Sequence, residues 1–187
     1  MDSETRWRLV RRARAKPEAL PATEEIRPAK FEDLPAIRDI YNYFIRNTAI
    51  TFDDKPLDLQ HWIDMHSMLR KHELPFLVMT RGPELIGFAF LQPWRQRSGY
   101  LKVVENSIYL SAPATGKKLG SRLLGALLQE AKRVGIKEVI AVIADRGADA
   151  SIALHKKFGF VQQGHLAKVG VRFGRPIGSY LLSLNMR

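Results

Sequence analysis

The sequence predicts an α/β protein in which a mixed β-sheet is covered by helices on both faces. Short β-rich runs and helical runs follow one another in the order β-α-α-β-β-β-α-β-α-β-β. The helical run after Gly116 places leucine at helical spacing, which is typical of a helix with one buried face. Residues 138–143 (EVIAVI) are almost continuously apolar, as expected for a strand that is buried on both faces.

The first half of the chain predicts two helices among four strands. Asp33 is a suitable N-cap for a helix that runs to about Asn47, and Asp58 opens a second helix. One polar loop, residues 47–54, joins these helices, and a second polar loop spans residues 92–100. The four strands lie at residues 25–28, 76–80, 85–91 and 102–110.

The second half predicts two helices and three strands. A small-residue loop, residues 111–116, opens a long helix that ends at Gly135, and residues 151–158 form a short helix. The buried stripe of the long helix consists of Leu119, Leu123, Leu124, Leu127, Leu128 and Ala131. The strands lie at residues 138–143, 160–169 and 177–185, and a turn at residues 174–176 separates the last two.

Composition places the chain among ordinary globular proteins. It has 187 residues, of which 45% are hydrophobic and 26% charged, and this suits one domain at residues 25–187 behind a basic extension at residues 1–24. No apolar run is long enough to span a bilayer, and no secretory signal is present, so we expect a cytoplasmic protein without a membrane partner. The absence of cysteine excludes disulfides, thiolate metal sites and a cysteine nucleophile, and no metal site is predicted.

The net charge of +11 indicates anionic partners without choosing among them, and a merely solvated basic surface is an equally good interpretation. We expect no nucleic-acid partner, because no recognised aromatic or zinc motif accompanies the charge. The stretch from Val103 to Val134 is more informative. A strand that feeds a tight loop and then a helix is a ready anion site, because free backbone N–H groups and the positive end of the helix dipole point into the loop.

Several strings resemble a known family. They are IRPAKFEDLPAIRDIYN (26–42), NTAITFDDKP (47–56), PWRQRSGY (93–100), VENSIYL (104–110), AVI (141–143), SIALHKKFGF (151–160) and GHLAKVGVRFGR (164–175). Taken together and in order, they resemble the phosphinothricin/methionine-sulfoximine N-acetyltransferases of the GCN5-related N-acetyltransferase (GNAT) superfamily. The resemblance implies a mostly antiparallel sheet with a splayed strand pair, formed by the strand of Glu105 and the strand at 138–143. It also implies a homodimer.

The resemblance further implies transfer of an acetyl group from acetyl-CoA, the cosubstrate, to the primary amine of a small amino-acid-like compound. The pantetheine arm is expected between the splayed strands and the pyrophosphate on the loop before the long helix. The implied cofactor-binding residues are Ile108, Tyr109, Leu110, Thr115, Gly116, Lys117, Lys118, Leu119, Gly120, Ser121 and Ser151. A backbone N–H near residues 107–110 is the expected donor to the thioester oxygen.

Glu105 is the candidate base, because an attacking amine must lose a proton and desolvation in an apolar strand raises a carboxylate pKa toward neutrality. Otherwise it is an outward-facing strand residue. His155, aligned with a tyrosine that in many members protonates the departing thiolate, is the candidate acid or water relay, or else a packed helix residue. The candidate ligands of the substrate carboxylate and walls of its pocket are Trp94, Arg95, Tyr100 and Lys102.

Two other functions stay open, one because the basic surface would suit a polypeptide substrate and one because the sequence departs from the family pattern. Thr115 and Lys118 replace the Arg or Gln and the first Gly of the usual phosphate loop, whereas Gly120 is kept. A lysine Cβ at a glycine position obstructs close approach of the backbone or forces another angle. Ala148 replaces the usual cofactor-supporting Asn. The alternatives are an acetyltransferase for protein N-termini or lysine side chains, and a non-catalytic binding or regulatory module.

Overall fold

The computed structural model describes residues 23–95 and 97–187, and over these residues the predicted mixed sheet is confirmed. Within them the chain forms seven strands and four α-helices. The strands are β1 (Glu24–Pro28), β2 (Phe76–Arg81), β3 (Glu84–Pro93), β4 (Val103–Leu110), β5 (Glu138–Ala144), β6 (Val161–Arg172) and β7 (Arg175–Asn185). The helices are α1 (Leu34–Asn47), α2 (Leu59–Lys71), α3 (Leu119–Arg133) and α4 (Asp149–Lys157).

The strands form one sheet in the order β1-β2-β3-β4-β5-β7-β6. Every neighbouring pair is antiparallel except β4 and β5, which run parallel. The last turn differs from the sequence prediction, which placed it at residues 174–176. Phe173 and Gly174 alone form the turn, both with positive φ, and β7 already begins at Arg175. Two left-handed residues in succession give the compact hairpin turn whose twist matches that of the flanking strands.

Helices cover both faces of the sheet. On one face, α1 and α2 pack with Phe76, Val78 and Phe88 around the buried Trp62. On the other face, α3 buries the six residues of its predicted stripe against alternate residues of β2 to β5, and α4 packs beside it. The two cores therefore separate side chains of successive strand residues, as strand alternation requires.

The predicted splayed strand pair is confirmed in the backbone. The parallel ladder between β4 and β5 comprises three pairs and ends where Glu105 meets Ile140. Both strands continue beyond this point, β4 to Leu110 and β5 to Ala144. We call the opening between residues 106–110 and 141–144 the fork. Because the strands diverge there, the edges that face the fork are not joined by a ladder.

The first strand is tied to the body of the domain by one acidic residue. Glu24, the last residue of the predicted extension, is the first residue of β1, and its carboxylate pairs with Arg81 of β2 and Arg122 of α3 at 3.0 Å each. These arginines lower the pKa of Glu24. Residues 1–22 of the predicted extension lie outside the described residues. No helix among the described residues is long and apolar enough to cross a membrane.

The loop between α1 and α2 is fixed to its surroundings by two buried polar side chains. The Asn42 amide donates to the Leu57 carbonyl and accepts from the Leu57 N–H, each at 2.8 Å. The Arg172 guanidinium at the end of β6 donates to the carbonyls of Ile45 and Thr48 at 2.5 and 3.3 Å. Asp58 caps α2 by accepting from the His61 N–H, as its position in the sequence predicts.

Asn42→Ala is expected to lower the free energy of unfolding by about 2–3 kcal/mol, because both backbone groups of Leu57 lose a buried partner. The matched control is Asn47→Ala on the same helix, where the exposed side chain makes a single bond to the Tyr43 carbonyl, and it should cost under about 0.5 kcal/mol. Urea denaturation measures both. Equal losses in the two variants would show that the Asn42 contacts do not stabilise the loop.

Candidate active site

A cavity of about 820 Å³ passes through the fork from one face of the sheet to the other. On the face covered by α1 and α2 its walls include Tyr41, Asp53 and Glu105, and we call this half the amine side. On the face covered by α3 and α4 its walls include Gly120 and Ser151, and we call this half the phosphate side. A continuous cavity of this size admits a long ligand that crosses the sheet.

Glu105 lies at the closed end of the fork, where the two strands part. It is the last β4 residue in the ladder with β5, and its side chain lines the cavity on the amine side. Burial raises the pKa of Glu105, and a hydrogen bond from Gln92 on the neighbouring strand opposes this in part. A carboxylate with a raised pKa that faces a cavity has the property that a proton acceptor near neutral pH requires.

The amine side carries a second carboxylate that the sequence did not single out. Asp53, in the polar loop at residues 47–54, accepts from the Tyr41 hydroxyl at 2.5 Å, and Thr51 lies 3.1 Å from the same hydroxyl. Burial and the bond to Asp53 raise the pKa of Tyr41 to about 12. Tyr109 packs against Tyr41 at 5.0 Å between ring centroids, and burial raises its pKa well above its usual value. Both hydroxyls are therefore neutral donors.

His155 lies on the phosphate side with both ring nitrogens engaged. Its Nδ1 is 2.7 Å from the Ser151 carbonyl oxygen, and its Nε2 is 2.9 Å from Nδ2 of Asn106. Burial lowers the pKa of His155, so the ring is neutral and carries one N–H. Because a carbonyl oxygen only accepts, that N–H is on Nδ1, and Nε2 accepts from the Asn106 amide.

The N-terminus of α3 opens into the phosphate side of the cavity. Thr115, Gly116 and Lys118 line it in the loop, and Leu119, Gly120 and Ser121 continue the lining into the helix. Lys118 adopts a left-handed conformation with φ of 60° and makes no side-chain cap, so the first backbone N–H groups of the helix are left for another acceptor. Lys157 of α4 lies nearby, 3.4 Å from the Ser121 hydroxyl.

The cavity brings together most of the residues predicted to bind the cofactor. Besides the α3 residues, its lining contains Ile108, Tyr109, Leu110 and Ser151, whereas Lys117 is exposed and is not part of the lining. Tyr109 belongs to the amine side. Ala148, at the usual asparagine position, also lines the cavity and offers no side-chain hydrogen bond there.

The four predicted substrate-binding residues, Trp94, Arg95, Tyr100 and Lys102, do not line the cavity as the described residues form it. They lie in the β3–β4 connection, which enters β4 at Val103, at the end of the strand where the ladder with β5 is intact. The fork opens at the opposite end. Lys102 instead donates to the Val134 carbonyl at the end of α3, at 3.4 Å, and the Arg95 guanidinium lies 5.5 Å from the Trp94 ring centre.

The described part of the chain contains no group of three or more His, Cys, Asp or Glu side chains that fits a metal ion. One side of the cavity carries a carboxylate that suits a proton acceptor. The other side carries a helix N-terminus that suits a phosphate ester.

Comparison with known proteins agrees with this arrangement. A methionine sulfoximine/methionine sulfone acetyltransferase from Pseudomonas aeruginosa is 36% identical over 165 residues, covering 86% of this chain and 94% of that protein. A phosphinothricin acetyltransferase from Sinorhizobium meliloti, solved with acetyl-CoA, superposes with a TM-score of 0.82 at 32% identity, covering 87% of this chain and 88% of that one. A ribosomal-protein-alanine N-acetyltransferase from Brucella melitensis has the same TM-score of 0.82 at 33% identity, covering 86% and 99%.

The model of the acetyltransferase (GNAT) family matches residues 37–160, a range that contains the fork, Glu105, the N-terminus of α3 and His155. The chain therefore belongs to the acetyltransferase (GNAT) family.

Proposed function

We propose that this protein is an acetyl-CoA-dependent N-acetyltransferase that acetylates the primary amine of a small amino-acid-like substrate. The observation that carries the proposal is the fork, where a ladder that ends at Glu105 opens a cavity through the sheet. The P. aeruginosa and S. meliloti relatives support the substrate class, because their names specify methionine sulfoximine, methionine sulfone and phosphinothricin.

The phosphate side suits the phosphates of acetyl-CoA. The N-terminus of the 15-residue helix α3 supplies free N–H groups and a positive dipole end, and Lys118 and Lys157 add charge within the same lining. When bound, acetyl-CoA supplies an activated acetyl thioester. The β4 edge at residues 106–110, which no ladder joins to β5, offers backbone N–H groups to its carbonyl oxygen.

The amine side suits a protonated amine. The Glu105 carboxylate takes the proton that the ammonium must lose before it attacks, and Asp53 adds a second negative charge to the same half of the cavity. Tyr41 and Tyr109 stay neutral at physiological pH and present hydroxyl groups. The lysines among the described lining residues, Lys118 and Lys157, lie on the phosphate side, so the amine side selects for the cationic group of the substrate.

A protein N-terminus is the second candidate acceptor. The B. melitensis structure, whose name specifies a ribosomal protein alanine, matches this chain as well as the S. meliloti structure does. A peptide α-amine has the same chemistry as that of a free amino acid, and the free α-carboxylate distinguishes the two. The two acceptor classes are therefore separated by comparing an amino acid with its carboxamide and with a short peptide.

The edge strand β6 supports a homodimer. Val161, Leu166, Val169, Val171 and Phe173 lie along β6 and its turn, and each is more than half exposed. In a monomer, an edge strand with a row of exposed apolar side chains stays in contact with water. A second copy of the chain can cover it by strand pairing or by side-chain packing.

The substrate class is tested with purified protein, acetyl-CoA and a panel of methionine sulfoximine, its carboxamide and a short alanine-terminated peptide. We expect acetyl-CoA to bind in calorimetry and methionine sulfoximine to be acetylated with the highest kcat/KM. Turnover of the peptide alone would select the second candidate. Failure of acetyl-CoA to bind at physiological concentration would overturn both enzyme functions.

Glu105→Gln is expected to lower kcat by about 10²–10⁴-fold, because the amide cannot accept the proton of the ammonium. The Kd for acetyl-CoA should change less than about threefold, since Glu105 lies on the amine side and the phosphates bind on the other. Steady-state kinetics and calorimetry give the two quantities. A variant that keeps its kcat would remove Glu105 from the mechanism.

The pH dependence of kcat follows from the raised pKa of Glu105. Above that pKa the carboxylate is ionised and accepts a proton, whereas below it the group is protonated and the rate falls. The acidic limb of the profile should therefore lie above the ordinary value of 4.5 and be missing from the residual rate of Glu105→Gln. A limb at or below 4.5, or one that persists in the variant, would point to another group.

Sedimentation velocity is expected to show a species of twice the chain mass. Val171→Lys, which puts a charge between Val169 and Phe173 in the exposed β6 row, should shift this species to the monomer without changing the circular dichroism spectrum. Exposed Arg133→Lys on α3 is the control for a change of surface residue. A wild-type chain that sediments as a monomer at all concentrations would refute the dimer.

A further inference from the structure

Asn106 carries a buried oxygen atom that has no partner among the described residues. The residue is 6% exposed, follows Glu105 directly and is the first β4 residue beyond the ladder with β5. Its Oδ1 atom has no hydrogen-bond partner, although its Nδ2 atom lies 2.9 Å from His155. Asn106 is one of the residues that line the cavity, and because a buried amide oxygen without a donor costs free energy, its unpartnered oxygen indicates a donor that a ligand supplies.

The direction of the Asn106 oxygen is set by His155. The Ser151 carbonyl fixes the ring proton on Nδ1, which leaves Nε2 as an acceptor that only the amide nitrogen of Asn106 satisfies. If the amide were reversed, its oxygen would face the lone pair of Nε2. The histidine therefore holds the amide nitrogen toward α4 and leaves the oxygen as the free end of the group.

The position of Asn106 determines what kind of ligand atom meets it. Alternation along β4 puts Glu105 on the amine side and Asn106 on the phosphate side, among the phosphate-side residues Ile108 and Leu110. The ligand segment between the thioester and the phosphates crosses the fork here. In acetyl-CoA this segment is the pantetheine arm, which contains two amide N–H donors, whereas the acetyl thioester itself contains none.

We propose that the Asn106 side-chain oxygen accepts a hydrogen bond from an amide N–H of the pantetheine arm, and that His155 is the positioning residue that directs it. This inference rests on the proposed use of acetyl-CoA. It gives His155 a role other than the acid or relay predicted from the sequence, because the single N–H of its neutral ring is already donated to Ser151.

The experiment compares CoA with two analogues, in each of which one of the two pantetheine amides is replaced by an ester. The ester keeps the shape of the arm and removes the N–H. Calorimetry with the wild-type chain should show about tenfold weaker binding of one analogue and little change for the other. In Asn106→Leu, which is close in size, that difference should vanish. The exposed Asn185→Leu is the matched control and should discriminate as the wild type does.

Each result decides between the two proposals. If CoA binds the wild type and neither analogue is weaker, the role of Asn106 is overturned while the proposed function stands. Equal discrimination by the wild type and a folded Asn106→Leu overturns it as well. If CoA does not bind the wild type at all, the proposed function fails and this inference fails with it. Circular dichroism shows whether Asn106→Leu folds. If this variant does not fold, the comparison of CoA with the two analogues in the wild type still tests the role of Asn106.

His155→Gln separates positioning from acid catalysis. The glutamine side chain also presents an oxygen that accepts from Asn106, but it has no titrating proton. A positioning role predicts that Kd for CoA stays within about threefold, that kcat stays within about tenfold, and that the pH profile keeps the shape of the wild type. A loss of kcat of about 10²-fold or more with unchanged Kd is the effect of a missing acid and would overturn the assignment.

Discussion

The parallel pairing of β4 and β5 stops at Glu105 and Ile140, and the rest of the site depends on this interruption. Backbone groups within a sheet are ordinarily paired, so a strand edge that is left open inside a domain is a binding surface. The interruption also limits how far the cavity extends along the strands, because the three intact pairs close that end of the fork. A ligand that occupies the fork takes the place of the missing strand contacts, and it also meets the side chains at the point where the strands part.

Strand alternation then divides the chemistry between the two faces. Glu105 and Asn106 are neighbours in the chain, yet one points to the core of α1 and α2 and the other to the core of α3 and α4. The Glu105 carboxylate, our proposed proton acceptor, is thus separated from the phosphate side by the thickness of the sheet, although both are reached from one cavity. A reaction between a thioester and an amine that enter from opposite faces needs this arrangement, since each reactant has its own half of the cavity.

Features that depend on neighbouring residues in the sequence were predicted correctly. The buried stripe of α3 and the helix start at Asp58 were predicted from the sequence, and the structure has both of them. Contacts between distant parts of the chain did not follow from the sequence. Asn106 and His155 are 49 residues apart, and the bond between Tyr41 and Asp53 depends on how a loop folds back over a helix. Trp94 and Arg95 were predicted at the site from the carboxylate that an amino-acid substrate brings. Which end of β4 borders the fork depends on its pairing with β5, and that pairing does not follow from the sequence.

The altered phosphate loop shows why the fold tolerates a residue that the family pattern disfavours. A glycine is preferred there because the backbone turns through the left-handed region, and Lys118 adopts that conformation with φ of 60°. For a residue with a Cβ this costs about 1–2 kcal/mol of folding stability. The first residues of α3 line the cavity in this conformation, and Lys118 itself belongs to the lining. A phosphate depends on the direction of the first N–H groups of a helix, so a left-handed lysine is compatible with the anion site that we propose at this loop.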